Sequence, residues 1–300
     1  MAKTDMKRIC TLLVAIIAAA ATVNAQDIVY EKSDSLFIAK VLEKHHTIPC
    51  MEKLLVSIAN EFCGAAYTGG TLDARDGEPL FISCSQLDCT TFAELTLAIA
   101  AACSDGEPCF WSVCGLLERI RYRNGVRGGY DSRLHYISWW IDDSAKKGWI
   151  EEVKTRQHTA VQELHLDFMS RNAHKYPMLK GNEELTGAIA GYEKPYIGKR
   201  IEYIPKEKLY MTQEALEIRN GDMLALVTSV NGLDVSHVGF AVWKNGKLHM
   251  LHASSAAGKV INDPVPLHEY MKKRKSQLGV RIFRMSGWPA REKQNKKENQ

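Results

Sequence analysis

From Ser33 to Phe62 apolar side chains return every three or four residues, which predicts helix with a buried face. The glycine-rich stretch "AAYTGGTLD", Ala65 to Asp73, then reads as loop. A second helical run is predicted from about Cys89 to Ala102, with Phe92, Leu95, Ile99 and Ala102 along one face. Roughly residues 110–200 mix helix and loop, and "YRNGVRGGYDSRLHYISWWIDD" is aromatic and charged together. The pattern then changes to alternating or continuous apolar runs in "DMLALVTSV", "HVGFAVWKNGKLHMLHAS" and "GVRIFRM", which predict strands with hairpin turns. A leading helix followed by antiparallel strands is an α+β plan. Its length fits one domain over residues 26–290 with a helical insertion at about 103–200.

One hairpin can be placed in register. Asn245-Gly246 is the strongest short hairpin signal, and a two-residue turn there sets Lys244 opposite Lys247. Trp243 then faces Leu248, Val242 faces His249, Gly239 faces His252 and His237 faces Ser254. Side chains alternate between faces, so His237, Gly239, Met250 and His252 share one side while His249 points to the other. His237 and His252 become diagonal neighbours, with backbones roughly 7–8 Å apart. Small residues at Gly239, Ala241 and Ala253 are expected to leave room for a helix end to approach this face.

The chain opens with Lys3, Lys7 and Arg8, an apolar run from Ile9 to Thr22, and the small-residue site Val23-Asn24-Ala25. This predicts a secretory signal peptide over residues 1–25 and an exported protein; the run is short for a membrane anchor. No later stretch is apolar enough to span a bilayer. The net charge of +4 is accounted for by Lys3, Lys7 and Arg8 against Asp5, and by Arg291, Lys293, Lys296 and Lys297 against Glu292 and Glu298. The remaining core is neutral, which argues against a nucleic-acid partner, and residues 291–300 read as a solvated basic tail. Beyond Cys10 there are seven cysteines, at 50, 63, 84, 89, 103, 109 and 114. In an oxidising compartment an odd count predicts one free thiol with others available to pair, and the spacings do not fit a metal site.

Cys89 is the thiol with a chemical position. "SQLD", Ser85 to Asp88, fits a helix-start signature, with Asp88 able to cap the helix itself. Cys89 then falls in the first turn, where free amides and the helix dipole are expected to lower its pKa and to cradle an oxyanion. His237 supplies a base and His252 a group to orient it, the general triad pattern of nucleophilic catalysis.

With those residues placed, "DCTTF", "HVGFAVW" and "LHASS" in this order resemble the NlpC-type papain-like cell-wall hydrolases. "YTGGTLD", "LDCTTFAE", "IRYRNG", "YDSRLHYISWWI", "IRNGDMLAL", "GLDVSHVGF" and "LHASSAAGKV" resemble more closely the N-acetylmuramoyl-L-alanine amidase-like branch of Gram-negative bacteria. The resemblance spans about Tyr67 to Arg284. It implies a papain-like core with Cys89 as nucleophile, His237 as base and His252 as the third member, and it implies no cofactor. Tyr67 matches the tyrosine lining such sites and Asp88 the acid before the cysteine; Arg133, His135 and Tyr136 belong to the branch-specific stretch and are expected to contact substrate. Thr90-Thr91 stands where the dipeptide endopeptidase branch commonly has Ser-Gly, a departure that weakens the transfer of that branch's substrate rules. The implied substrates are peptidoglycan muropeptides and the implied compartment the periplasm. A cut between D-glutamate and the diamino acid of the stem, and a wall-fragment binding domain without catalysis, stay open as alternatives.

Overall fold

A computed structural model describes residues 28–73, 75, 77–104 and 108–286; the leader and the basic tail lie outside the described residues. The first helical run divides into α1 (Lys32–His45) and α2 (Met51–Glu61). The break falls at Pro49, whose ring disfavours helical geometry in the residue before it. Strand β1 (Ile28–Val29) pairs in parallel with β3 (Leu80–Phe81), and β2 (Ala66–Tyr67) with β4 (Gln86–Leu87).

Helix α3 (Cys89–Ser104) follows at once, and its surroundings differ from the one-sided stripe expected. Every residue from Thr91 to Cys103 is buried. The run "AIAAA" explains how: small side chains let α1, α2 and α4 (Phe110–Arg121) approach on some sides while the sheet closes the other. A helix apolar all round belongs in a core, and this one is the axis of the molecule.

The sheet has the strand order β4-β2-β11-β10-β9-β8-β12-β7-β6. Its centre is β8 (Met223–Thr228), β9 (Val235–Lys244), β10 (Lys247–Ser254), β11 (Lys259–Asn262) and β12 (Gln277–Met285), all antiparallel to their neighbours. Between α4 and this centre lie α5 (Ile137–Lys146), the short α6 (Phe168–Arg171) and α7 (Glu183–Glu193). The same segment holds strands that its mixed composition hid: β5 (Ile150–Glu152) pairs with β12, and β6 (Ala160–Glu163) pairs with β7 (Arg200–Pro205). Two further short helices, α8 (Gln213–Leu216) and α9 (Leu267–Lys272), flank the last strands. The whole is α+β.

The β9–β10 hairpin has the register set by Asn245-Gly246: Lys244 faces Lys247, Trp243 faces Leu248 and Val242 faces His249. Both turn residues have positive φ, 49° and 72°, as a type I′ turn requires. The space at Gly239 has a different occupant from the expected helix end. A Cβ there would lie 2.8 Å from His252 Cβ, 2.8 Å from Met250 Cγ and 2.9 Å from the Leu251 carbonyl, so the neighbouring strand fills it. Gly239→Ala is therefore expected to overpack the sheet and cost about 1–3 kcal/mol. Its urea midpoint, compared with that of the unaltered protein, measures this; an unchanged midpoint contradicts the packing.

Candidate active site

Asp88 begins the site by starting its helix. Its Oδ1 accepts hydrogen bonds from the Thr90 and Thr91 amides at 3.0 and 2.8 Å, while the Thr91 hydroxyl accepts from the Asp88 amide at 2.9 Å. This reciprocal cap places half-buried Cys89 as the first helical residue. The cap engages Oδ1 of Asp88. The Phe92 amide bonds the Asp88 carbonyl, while the Cys89 amide is turned towards the Cys89 sulfur.

The sulfur lies against β9. Hydrogen bonds from the Val238 backbone, Thr90 and Cys89's own backbone all act on it, and Val238 adjoins His237. Cys89 and His237 line one cavity of about 190 Å³. His237 Nε2 lies 2.6 Å from Nδ1 of His252, which is fully buried. The diagonal pairing of the hairpin thus brings the two rings into direct contact. His249 faces away and bonds the Asp263 carbonyl through Nδ1 at 2.9 Å.

Asp263 is a member of this group that the motifs do not single out. Its Oδ2 lies 3.4 Å from His252 Nε2. The signal was a second hairpin: β10 pairs with β11 so that Leu251 faces Asn262, and the next residue, Asp263, donates its amide to the Met250 carbonyl. Asp263 is then diagonal to His252, as His252 is to His237.

The electrostatics reverse one expectation. Burial pushes the Cys89 thiol up to about 11, and the Asp88 charge adds to this; the three hydrogen bonds to sulfur oppose it and lose. Dehydration of a thiolate outweighs the helix start, so Cys89 rests as a thiol. Burial likewise holds His237 down at about 3, with His252 and Arg274 contributing. His252 is lowered by burial, against the opposing pull of Asp263. The resting pair is therefore a neutral thiol beside a neutral imidazole.

The remaining candidates sit in three different places. Half-buried Tyr67 does not line the cavity of Cys89 and His237; burial, chiefly, raises the pKa of its hydroxyl, with the Asp88 charge adding to it. His135 and Tyr136 line the cavity with Tyr130, Tyr176 and Asp234. The His135 Nε2 is engaged by the Tyr130 carbonyl at 2.8 Å, and the Tyr136 hydroxyl donates to Glu193 Oε1 at 2.6 Å. Arg133 departs from expectation: its guanidinium is buried and committed to protein carboxylates. Two of its nitrogens bond Glu78 at 2.9 and 2.8 Å, and the third bonds Asp73 Oδ1 at 2.7 Å. It pins the segment after the glycine-rich loop against the wall of the cavity. Among the described residues no disulfide joins the cysteines at 50, 63, 84, 89, 103, 109 and 114, so the pairing the odd count allowed is not seen. Cys84 instead packs under the start of α1, its amide donating to Asp34 Oδ1 at 2.7 Å.

Two outcomes follow from these charges. Arg133→Met would leave buried Glu78 and half-buried Asp73 without their counterion, and breaking such a buried pair costs about 3–5 kcal/mol; chemical denaturation measures it. For pH, His237 and His135 are both held at about 3 by burial, from an ordinary 6.5. Both are neutral when folded at pH 5, whereas the unfolded chain binds their protons, so their contribution to stability is full above about pH 6.5 and falls as pH drops towards 3. Melting temperature is expected to fall between pH 7 and pH 5, and less steeply in His237→Asn; an equal slope in both contradicts a neutral buried His237.

Comparison with known proteins places these features in a lineage. The family model "N-acetylmuramoyl-L-alanine amidase-like" matches residues 57–280. A Bacteroides uniformis structure named N-acetylmuramoyl-L-alanine amidase is 33% identical with a TM-score of 0.74, covering 78% of this chain and 98% of its own. A Bacteroides fragilis structure called a candidate xylanase is 43% identical with a TM-score of 0.72, covering 76% of this chain and 99% of its own. A Legionella pneumophila protein at 21% identity and a TM-score of 0.61, covering 82% and 93%, shares the fold. No curated protein matches the chain. The match over residues 57–280, together with those relatives, makes this chain a member of the N-acetylmuramoyl-L-alanine amidase-like family.

Proposed function

We infer that this protein is an exported cysteine amidase that hydrolyses the amide between the lactyl group of N-acetylmuramic acid and L-alanine in peptidoglycan fragments. The observation that carries the reading is the contact of His237 with His252 beside a helix-start Cys89, within a chain of this family. A nucleophile at a helix start packed on the strand that bears its base is the papain-like NlpC arrangement. The leader of residues 1–25 directs the protein out of the cytoplasm, and periplasmic muropeptides are the substrates.

Because thiol and imidazole are both neutral at rest, His237 acts as a general base during attack rather than as half of a standing ion pair. It takes the thiol proton as sulfur bonds to the lactyl carbonyl carbon. The carbonyl oxygen becomes an oxyanion at the start of α3. The imidazolium then gives its proton to the L-alanine nitrogen, the C–N bond breaks, and a thioester remains on Cys89. Water, deprotonated by His237, hydrolyses it to the sugar lactic acid and regenerates the thiol.

The name of the Bacteroides fragilis relative raises glycoside hydrolysis as a second chemistry. That reaction uses two carboxylic groups flanking the bond, one protonated and one charged. The cavity holds Asp73 and Asp234. Asp73 is bound to Arg133, and the two oxygens of buried Asp234 accept from the Val235 and Ser138 amides at 2.7 and 2.6 Å. Neither is placed as a free acid and base pair, which favours the amidase.

Purified protein lacking residues 1–25, incubated with a disaccharide-tetrapeptide and its anhydro form, is expected to release an intact peptide beginning with L-alanine and a sugar lactic acid, both weighed by mass spectrometry. Cys89→Ala should abolish this. A sugar still carrying L-Ala-D-Glu would transfer the case to the endopeptidase, binding without cleavage to a recognition domain, and reducing ends from xylan to the glycosidase.

A further inference from the structure

The contact between His237 and His252 leaves open which ring carries the bridging proton, and the residues behind His252 decide it. At 2.6 Å the two nitrogens share a hydrogen bond, so one is an N–H and the other a lone pair. His252 has a second nitrogen, Nε2, and Asp263 Oδ2 lies 3.4 Å from it. An ionised carboxylate only accepts, so Nε2 is the protonated nitrogen of His252 and its Nδ1 is the lone pair. His237 must then donate from its own Nε2, which leaves its Nδ1 without a proton. That is the nitrogen able to receive a proton from a thiol.

We propose that Asp263 is a positioning residue that sets the tautomer of the base His237 through His252, so that the reacting group depends on a carboxylate two hydrogen bonds removed from it. The proposal rests on the reading of Cys89 and His237 as nucleophile and base. Asp263 is built for the role by its anchoring. Its amide donates to the Met250 carbonyl at 2.9 Å, its carbonyl meets His249 Nδ1 at 2.9 Å, and its Oδ1 accepts from the Val265 amide at 2.9 Å. The last bond fixes which oxygen faces His252. His249, excluded from the site by the hairpin register, takes part from the opposite face of the sheet by holding the Asp263 backbone.

This anchoring makes Asp263→Asn informative. Val265 N–H requires an acceptor, so the amide oxygen stays there and the NH₂ replaces Oδ2 beside His252. A donor at that point moves the His252 proton from Nε2 to Nδ1. His237 must then accept at Nε2 and carry its proton on Nδ1, where it cannot take one from Cys89. The substitution preserves shape and reverses the relay.

The test is nitrogen NMR on the full chain with ¹⁵N-labelled histidine, with assignments from His237→Asn and His252→Asn. Unaltered protein is expected to show both rings protonated on Nε2, and Asp263→Asn to show both protonated on Nδ1. Alkylation of Cys89 by iodoacetamide at pH 8, which needs no substrate, should slow at least about tenfold in Asp263→Asn. Muropeptide turnover should lose on the order of 10²–10⁴ in kcat with KM within about twofold, as when the orienting acid of a triad is made an amide. Identical tautomers in the two proteins, or undiminished alkylation in the variant, would overturn the proposal. If Asp263→Asn does not fold, the unaltered protein decides alone, because His252 protonated on Nδ1 is incompatible with the relay. If unaltered protein cleaves no muropeptide, the amidase reading fails while the tautomer and alkylation results still decide this one.

Discussion

The hydrogen bond between His237 and His252 can exist only because the strands that carry them approach with nothing between. A Cβ at Gly239 would lie 2.8 Å from both His252 Cβ and Met250 Cγ, so even a methyl group there would collide with the strand that carries His252. The Asn245-Gly246 turn sets the register that makes the rings diagonal neighbours, and the apolar residues of β8 to β12 hold that register. Helix α3 then lies on the sheet with its first residue against Val238. The arrangement of the two histidines is in this sense a property of sheet register: a one-residue slip between β9 and β10 would set the rings on opposite faces.

The same close packing decides the charge state. A thiol at a helix start in contact with water would be acidic, and an imidazole at the surface would titrate near neutrality. Here both are dehydrated, so each is held in its neutral form, the thiol from above and the imidazole from below. In such a dehydrated setting either group takes up charge only when a neighbouring charge or donor offsets the lost solvation. A neutral thiol is also less exposed to oxidation, since the thiolate is the form that reacts.

What was legible in the chain followed from rules that reach only a short distance. The hairpin register, the helix start at Cys89 and the contact of two histidines fifteen positions apart all come from turn chemistry and alternation. Asp263 obeyed the same rule across the second hairpin, but no Asn-Gly pair marks that turn, whose positive-φ residue is Gly258. Arg133 was misplaced because its partners Asp73 and Glu78 come from a separate segment, and spacing along the chain carries no sign of such an encounter. The thiol pKa was misjudged for a related reason: the helix dipole is local and readable, whereas the burial that outweighs it is assembled by β9, α3 and the cavity wall together.

The wall of the cavity is joined to the sheet at a few buried polar points, and these explain how a long segment outside the central strands can shape the site. Asp234, at the entry to β9, caps α5 through the Ser138 amide. Arg281 on β12 reaches the Ser138 hydroxyl at 3.3 Å and Glu152 on β5 at 2.8 Å. Glu193 at the end of α7 collects the Tyr136 hydroxyl and the Met169 and Ser170 amides. Apolar packing alone would tolerate sliding of these helices, because it is not directional. Charged hydrogen bonds in a buried setting permit few alternatives, since a displaced partner leaves a desolvated charge behind. Asp234, next to the first residue of His237's strand, thus also caps the helix that follows the cavity-lining residues His135 and Tyr136, so strand and wall are tied to each other through this carboxylate as well.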